Sequence, residues 1–397
     1  MSLRRLLSAH GRFGLAGLAL LFVTFACTPQ VEAFNESDWI RQVRRLVKRI
    51  RPSVVGVHFY EEVVVGEESA ETTAVHERES VLGISGMVRN SRGLVMTLVP
   101  WGRPRTSQGD PAPIEVILHD GSTRRAEWVA RDPETGLTLI KIIDPPKLIP
   151  VRFARKALAE GNLVIAVGNS GEYSLGPVSD TYRPARGGDF DFPRTIEASV
   201  AVADGDLGGM LARAADGLLV GMLAYTEKPS TSKERTRSGG NMSFAIPLDL
   251  LEKIIPELER NGRVIRGSIG AYCAFKTREE MAKIGLGGVG VWVQRVDPTG
   301  TGAKGGLQPG DVIVRVNKRH LRTNADLHWF RELVEYGDIG DELTVEVYRC
   351  TAEVRTYKIL SVRVAERREI LSGTVTDEPS PDDVKRKKPS EDEAEGS

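Results

Sequence analysis

Short runs of β-branched and apolar residues, each closed by a turn signal, dominate the sequence from Ser53 to about Leu251. Examples are SVVGVHFY, GLVMTLV, LVIAVGN and LLVGMLAY. In HDGS (119–122), an Asp-Gly pair between two alternating runs predicts a β-hairpin. Many short strands without alternating helices favour an antiparallel barrel or sandwich. With 397 residues, 41% of them hydrophobic, the chain has room for this region and for a further domain.

Two helices and a second domain accompany the β-rich region. DWIRQVRRLVKRIR (38–51) and PLDLLEKIIPELERNG (247–262) place apolar residues at helical spacing, and Asn261-Gly262 ends the second helix. The first helix is basic, and its sequence fits either docking on the next domain or contact with anionic lipid. Residues 266–366 read as strands around one helix, ADLHWFRELVEY, which predicts a smaller α+β domain.

The N-terminal segment has the features of a targeting signal. Arg4, Arg5 and Arg12 precede the apolar run FGLAGLALLFVTFA (13–26), which is short for a membrane span. TFAC, ending at Cys27, resembles the lipobox of bacterial lipoproteins, in which the cysteine carries the lipid. A lipoprotein, a secreted protein and an uncleaved anchor all place the folded part outside the cytoplasm.

Charge and cysteine content exclude several classes. Lys+Arg and Asp+Glu both number 54, so no net charge favours a nucleic-acid partner. Cys273 and Cys350 fit one disulfide or two thiols equally well. Neither a Cys/His zinc spacing nor a phosphate-binding glycine loop occurs, so we expect no metal and no cofactor.

Two polar segments are predicted to lack regular structure. The polar composition of residues 229–240 predicts a loop, and the charged composition of the tail 372–397 predicts disorder.

Five motifs occur in an order that resembles one protease family. They are SGMVRNSRGLVMT, HDGSTRRAEWVARDPETGLTLIKI, LVIAVGN, IEASVAVADGDLGGMLARAADGLLVGMLA and NMSFAIPLDLLEKIIPEL. Together they resemble the trypsin-like domain of HtrA (Deg) serine proteases, and RGSIGAYC with GLQPGDVIVRVNKRHL resembles the PDZ domain that follows it there. The resemblance implies a chymotrypsin-like double β-barrel, a PDZ domain and often a homotrimer. The expected ranges are 1–27 (signal and lipobox), 28–52 (linker and basic helix), 53–262 (degenerate protease domain), 266–366 (PDZ domain) and 372–397 (tail).

The resemblance also locates three catalytic positions, and this chain departs from the family at each. The family histidine falls on Pro100, the aspartate on Gly136 and the nucleophilic serine on Leu207. Because triad members act as a unit, we expect no acyl-enzyme chemistry from these positions. The surrounding loop keeps its glycines and is interpreted as a remnant oxyanion loop, with residues Gly205, Asp206, Leu207, Gly208 and Gly209. Its glycines either preserve a docking site for an anion or a peptide carbonyl, or only hold two strands in register.

Other nucleophiles and bases are less convincing in sequence. Ser170 lies in GNSG, which imitates the nucleophile motif, but its flanks match an upstream strand and favour a plain turn. His58, His76 and His119 have no serine or cysteine in a recognisable nucleophile motif beside them. A hydrolase that uses unrecognised residues remains the alternative.

The PDZ resemblance carries the binding prediction. PDZ domains add a peptide C-terminus as a strand to a sheet edge and hold its carboxylate with backbone N–H groups. The expected peptide-binding residues are Ile269, Gly270, Ala271, Tyr272, Leu327 and Phe330. A PDZ fold that serves only packing or assembly is the open alternative.

The sequence thus favours a catalytically inactive HtrA-like lipoprotein of the cell envelope. Expected partners are peptide or protein C-termini, unfolded proteins and active HtrA-like proteases, with the membrane contacted through the N-terminal lipid. The predicted role is that of a scaffold, a chaperone or a regulator of proteolysis. A structural envelope protein that binds no peptide is a further alternative.

Overall fold

The structure is a computed structural model, and it describes residues 36–65, 75–156, 158–187, 190–226, 242–350 and 355–367. The signal segment with Cys27, the polar segment 229–240 and the tail 372–397 lie outside the described residues. Helix α1 covers Glu36–Ile50 and is followed by one 3-10 turn, Arg51–Ser53. Val43, Leu46 and Val47 are buried as the apolar spacing predicts, whereas Ile40 on the same face is 42% exposed.

The first β-rich unit closes into a barrel in the order β1-β2-β3-β6-β5-β4. Its strands, as far as the structure describes them, are β1 Val54–Val65, β2 Val75–Val88, β3 Leu94–Leu98, β4 Ile114–Ile117, β5 Thr123–Arg131 and β6 Leu137–Ile142. The predicted hairpin is confirmed, since β4 and β5 pair antiparallel and Gly121 takes the positive φ that its turn requires. Fully buried Val57, Phe59 and Val95 lie in the barrel core.

A second barrel follows in the order β10-β11-β12-β9-β8-β7. Within the described ranges its strands are β7 Leu163–Val167, β8 Tyr173–Gly187, β9 Phe190–Ala198, β10 Met210–Arg213, β11 Leu219–Thr226 and β12 Ser243–Pro247. Helix α2, Leu248–Asn261, ends where the sequence predicts, because Gly262 caps it in the left-handed conformation at φ 68°. The two barrels confirm the double-barrel fold.

The C-terminal unit is a sheet in the order β14-β15-β16-β18-β19 with helices packed against it. The described elements are β13 Gly267–Ser268, β14 Ala271–Lys276, α3 Arg278–Lys283, β15 Gly290–Val296, α4 Thr301–Lys304, β16 Val312–Val316, β17 Arg319–His320, α5 Asn324–Glu335, β18 Glu342–Cys350, β19 Arg355–Arg363 and β20 Ala365–Glu366. Strand β14 forms one edge of this sheet and pairs, among the described strands, with β15. Leu327 and Phe330 of α5 lie in the core of this unit.

Candidate functional sites

The loop between β9 and β10 contains the three glycines that the sequence singles out. Gly208 has φ +82°, and a Cβ there would lie 2.3 Å from the Ser85 carbonyl oxygen. A Cβ at Gly209 would lie 2.7 Å from the carbonyl oxygens of Asp206 and Val167. A Cβ at Gly205 would meet only a backbone oxygen at 4.0 Å. Packing therefore requires two of the glycines and leaves the third without a steric reason.

Ser85 of β2 joins this loop to the first barrel. Its amide donates to the Leu207 carbonyl at 2.9 Å, and its hydroxyl donates to the Gly205 carbonyl at 2.8 Å. The same hydroxyl accepts from the Asn169 amide at 2.7 Å, while Thr97 Oγ1 donates to the Ser85 carbonyl at 2.6 Å. The loop conformation thus rests on backbone bonds that need no hydroxyl at position 207.

Asp206 joins the same loop to the turn after β7. Its buried carboxylate accepts from the amides of Ala203 at 3.1 Å and Ser170 at 3.3 Å. A Cβ at Gly168 would lie 1.9 Å from Asp206 Oδ1, so glycine is required beside the carboxylate. Ser170 is exposed, and its hydroxyl accepts from the Glu172 amide at 3.3 Å. These contacts fit a plain turn at Ser170.

Pro100 and Gly136 lie side by side at the ends of β3 and β6. The Val99 amide donates to the Gly136 carbonyl at 2.9 Å, and Arg131 donates to the carbonyls of Val99 and Pro100. Gly136 is buried with φ +72°. A Cβ at Gly208 would lie 2.9 Å from the Leu98 amide, two residues before Pro100. The structure therefore brings Pro100, Gly136 and the Leu207 loop to one junction between the barrels.

The chemistry available at this junction is limited by the side chains it carries. A proline ring, a glycine and a half-buried leucine supply no proton acceptor and no nucleophile. Elsewhere in the first barrel, the His58 ring packs over Gly83, 3.4 Å from the position a Cβ would take there. His119 lies exposed at the hairpin turn, and His76 lies in β2 opposite Val64.

A buried ion pair links the segment before Gly136 to the start of the C-terminal unit. Arg266 donates to both oxygens of Asp132, at 2.8 and 2.7 Å, and its Nε lies 3.1 Å from a Glu134 oxygen. Burial alone would raise the pKa of Asp132, but the bonds from Arg266 and Thr135 hold it below its ordinary value. Arg266 also donates to the Tyr336 hydroxyl at 3.2 Å. The C-terminal unit is thus joined to the first barrel through the ion pair between Arg266 and Asp132.

A second ion pair fixes helix α5 against the second barrel. Arg194 of β9 donates to both oxygens of Glu332, at 2.9 and 3.3 Å, and also to Asp249 of α2. Its guanidinium lies 4.9 Å from the centre of the Tyr182 ring. Burial opposes the charge, yet the bonds to Glu332 and Asp249 raise the pKa of Arg194 above its ordinary value.

The predicted peptide-binding loop lies at the open edge of the C-terminal sheet. Gly270 has φ +66°, and a Cβ there would lie 3.1 Å from Gly300 Cα and from the Thr301 amide nitrogen. The Gly270 amide donates to Ser268 Oγ at 3.0 Å, and its carbonyl accepts from the Asp297 amide at 2.9 Å. Ala271 follows as the first residue of the edge strand β14.

Among the predicted peptide-binding residues, three are buried and Tyr272 is exposed. Ile269, Leu327 and Phe330 are 2–4% exposed and pack together in the core. Tyr272 is 59% exposed, and the Arg295 guanidinium lies 4.9 Å from the centre of its ring.

Two residues that the sequence did not single out contact each other between the edge strand β14 and helix α5. Phe275 of β14 and His328 of α5 contact edge to face, with ring centroids 5.5 Å apart. An aromatic on the edge strand and a histidine on the facing helix were the available signals.

The described residues contain no group of three His, Cys, Asp or Glu side chains placed to hold a metal ion. Cys273 is a free thiol, and burial raises its pKa to about 12. None of the described helices is long and apolar enough to cross a membrane.

The comparisons with known proteins divide the chain as the fold does. Residues 84–222 match the family model of a trypsin-like peptidase domain, and residues 267–360 match that of a PDZ domain. The chain is similar to the serine endoprotease DegS of Haemophilus influenzae, with 28% identity over 318 residues that cover 77% of this chain and 84% of the relative. It is also similar to a probable periplasmic serine endoprotease, DegP-like, of Pseudomonas putida. That match has 32% identity over 267 residues, 63% of this chain and half of the relative.

Solved structures of HtrA-type proteases superpose on this chain over both domains. The HtrA-type protease AlgW with a decapeptide superposes with a TM-score of 0.63 and 25% identity, over 82% of this chain and 99% of that chain. The chain therefore carries a trypsin-like peptidase domain followed by one PDZ domain, and it is a homologue of the HtrA-type serine proteases.

Proposed function

We propose that this chain is a non-catalytic HtrA-type protein that binds peptide C-termini or unfolded segments through its PDZ domain. One observation carries the proposal. Pro100, Gly136 and Leu207 lie at a single junction whose backbone is well ordered by hydrogen bonds, yet none of the three can take part in acyl transfer.

The loop at Gly205–Gly209 is held in place without catalytic side chains, which supports the proposed non-catalytic role. Ser85 and Asp206 hold the loop through partly buried hydrogen bonds, and Gly208 and Gly209 occupy positions where a side chain would clash. A loop kept for packing is stable without a nucleophile.

The PDZ domain supports the binding role. Strand β14 offers its outer edge to an added strand, and the Ser268–Ala271 loop precedes it, where a terminal carboxylate would sit. Phe275 of β14 and His328 of α5 contact each other beside this edge and would contact the side chains of a bound peptide. Among the solved relatives, AlgW is known with a decapeptide, which fits the same role.

The proposed location is the periplasmic side of the cell envelope. Several relatives are named as periplasmic endoproteases, and the N-terminal segment ends in the lipobox-like TFAC. We therefore propose that Cys27 carries the lipid and that active HtrA-like proteases are among the partners. The wild-type chain should incorporate labelled fatty acid in cells, and Cys27→Ser should not; labelling that persists in Cys27→Ser would contradict the anchor.

A protease assay tests the non-catalytic role. The mature chain is incubated with an unfolded substrate and with a fluorophosphonate that labels active serines. We expect neither cleavage nor labelling, and Leu207→Ser alone should restore neither, because Pro100 and Gly136 supply no base and no orienting acid. Turnover or labelling that survives Leu207→Ala would instead establish the alternative, a hydrolase that uses other residues.

A peptide assay tests the binding role. C-terminal peptides are titrated as free acids and as carboxamides, and we expect the free acids to bind several-fold more tightly. Phe275→Ala should weaken binding, whereas Ile359→Ala, on exposed β19 at the other edge of the sheet, serves as the matched control. Binding that ignores amidation, or no saturable binding, would favour a structural envelope protein.

A further inference from the structure

The exposed face of α1 carries a row of cations. Arg41, Arg44, Arg45 and Lys48 follow the spacing i, i+3, i+4, i+7, which at 3.6 residues per turn places them along one face. All four are exposed, while Val43, Leu46 and Val47 on the opposite face are buried. We call these four residues the basic stripe.

The basic stripe stands out against the charge balance of the chain. The whole sequence is neutral, yet residues 39–60 contain six Lys or Arg residues and no Asp or Glu. Arg41 pairs with Asp38, and no described residue forms an ion pair with Arg44, Arg45 or Lys48. Like charges at i, i+4 on a helix repel each other by a few tenths of a kcal/mol per pair, and an anionic surface that faces them would relieve this repulsion.

The position of the stripe in the chain indicates which anionic surface that is. Only eight residues separate Cys27 from Glu36, where α1 begins. Even a fully extended segment of that length spans only about 30 Å. On the proposed lipid anchor at Cys27, the stripe is therefore held close to the bilayer.

We propose that the basic stripe binds the anionic headgroups of a phospholipid bilayer. Because the apolar face of α1 is already buried, the helix contributes charge rather than insertion. The attraction therefore acts over a short distance and weakens with salt.

Vesicle binding tests the proposal without the lipid anchor. The chain from Thr28 onward, which keeps every described element, is sedimented with vesicles of phosphatidylcholine alone or mixed with phosphatidylglycerol. We expect binding to the mixed vesicles only, and its loss in about 1 M salt, where the Debye length is about 3 Å. Replacing all four stripe residues by Gln should weaken binding by about 600-fold, since each cation contributes roughly fivefold near an anionic surface.

A charge-matched variant controls for net charge. Replacing Lys147, Lys156, Lys283 and Lys304 by Gln removes four exposed cations elsewhere and should leave vesicle binding intact. Equal loss in both variants, equal binding to pure phosphatidylcholine, or equally tight binding to duplex DNA would overturn the proposal. Circular dichroism confirms that both variants fold. The stripe variant should keep its C-terminal peptide binding, so failure of the stripe and failure of the PDZ role are read separately.

Discussion

Two glycine-bearing loops, one in each domain, look alike in sequence and differ in what surrounds them. The loop at Gly205–Gly209 is enclosed by the two barrels, and Ser85 and Asp206 bond its backbone. The loop at Ser268–Ala271 lies at the open edge of β14. A retained glycine therefore has two meanings. In the enclosed loop, packing between the barrels requires two of the glycines, and in the edge loop Gly270 takes φ +66° just before the edge strand β14.

The largest effect on stability is expected at the ion pair between Asp132 and Arg266, which joins the first barrel to the C-terminal unit that carries the edge loop. Arg266→Met removes the partner of buried Asp132 and should lower the free energy of unfolding by about 3–5 kcal/mol. Urea unfolding measures this. Arg263→Met is the control, because its ion pair with Glu366 is exposed and should change stability by less than about 1 kcal/mol. Equal effects of the two variants would show that the domains do not depend on the buried pair.

The enclosed loop should be intolerant of a methyl group at its crowded glycine. Gly208→Ala combines a positive φ with a clash against the Ser85 carbonyl and should cost about 3 kcal/mol or more of unfolding free energy. The edge loop should tolerate the same change better, so Gly270→Ala should cost only about 1–2 kcal/mol, while it weakens peptide binding. Thermal unfolding and peptide titration measure the pair. If Gly270→Ala were the more destabilising variant, the contrast between the loops would be wrong.

The role of Ser85 sharpens the same contrast. Ser85→Ala removes the donor to Gly205 and the acceptor for the Asn169 amide, and should cost about 1–3 kcal/mol. Peptide binding by the PDZ domain should not change. Urea unfolding and peptide titration of the one variant separate these outcomes, and a loss of peptide affinity would show that the two loops are coupled.

Acid should weaken the domain contact. The pKa of Asp132 is lowered from its ordinary value near 3.8, so its carboxylate stabilises the fold above that pH, and the stability is lost as the pH falls through the lower native pKa. Asp132→Asn should therefore be less stable than the wild type near neutral pH, with the difference narrowing in acid. A constant difference from neutral pH to about pH 2 would contradict this origin.

The smallest effect is expected at the one loop glycine without a steric reason. Gly205→Ala should change the unfolding free energy by no more than about 0.5 kcal/mol, because the added Cβ meets only one backbone oxygen, at an unstrained 4.0 Å. A large loss of stability would show a packing role that the surroundings of Gly205 do not explain.

Turns and helix ends could be predicted from the sequence, because they depend on the spacing of neighbouring residues. Turn residues located the hairpin at Gly121, and Gly262 marked the end of α2. Periodicity placed Leu327 and Phe330 on α5, but could not tell that both would be buried in the core. Burial depends on what packs against a helix, which its own period does not contain.

Contacts between residues that are far apart in the chain could not be predicted from the sequence. Asp132 and Arg266 are far apart in the chain, and nothing in either neighbourhood marks them as partners. The bonds made by Ser85 were equally hidden, because a serine in a strand gives no signal of the loop it will bond. Phe275 and His328 were recognisable by type, but their contact between β14 and α5 required the fold.

The backbone at Gly136 determines what an engineered catalytic triad at this junction would require. An aspartate placed there would enter a buried site at positive φ, and with Pro100 in place no imidazole would partner its carboxylate. A histidine gained first at position 100 would equally lack its orienting acid. On the proposed non-catalytic role, the histidine, the aspartate and the serine would therefore have to be installed together, and any one of them alone would leave the junction without turnover.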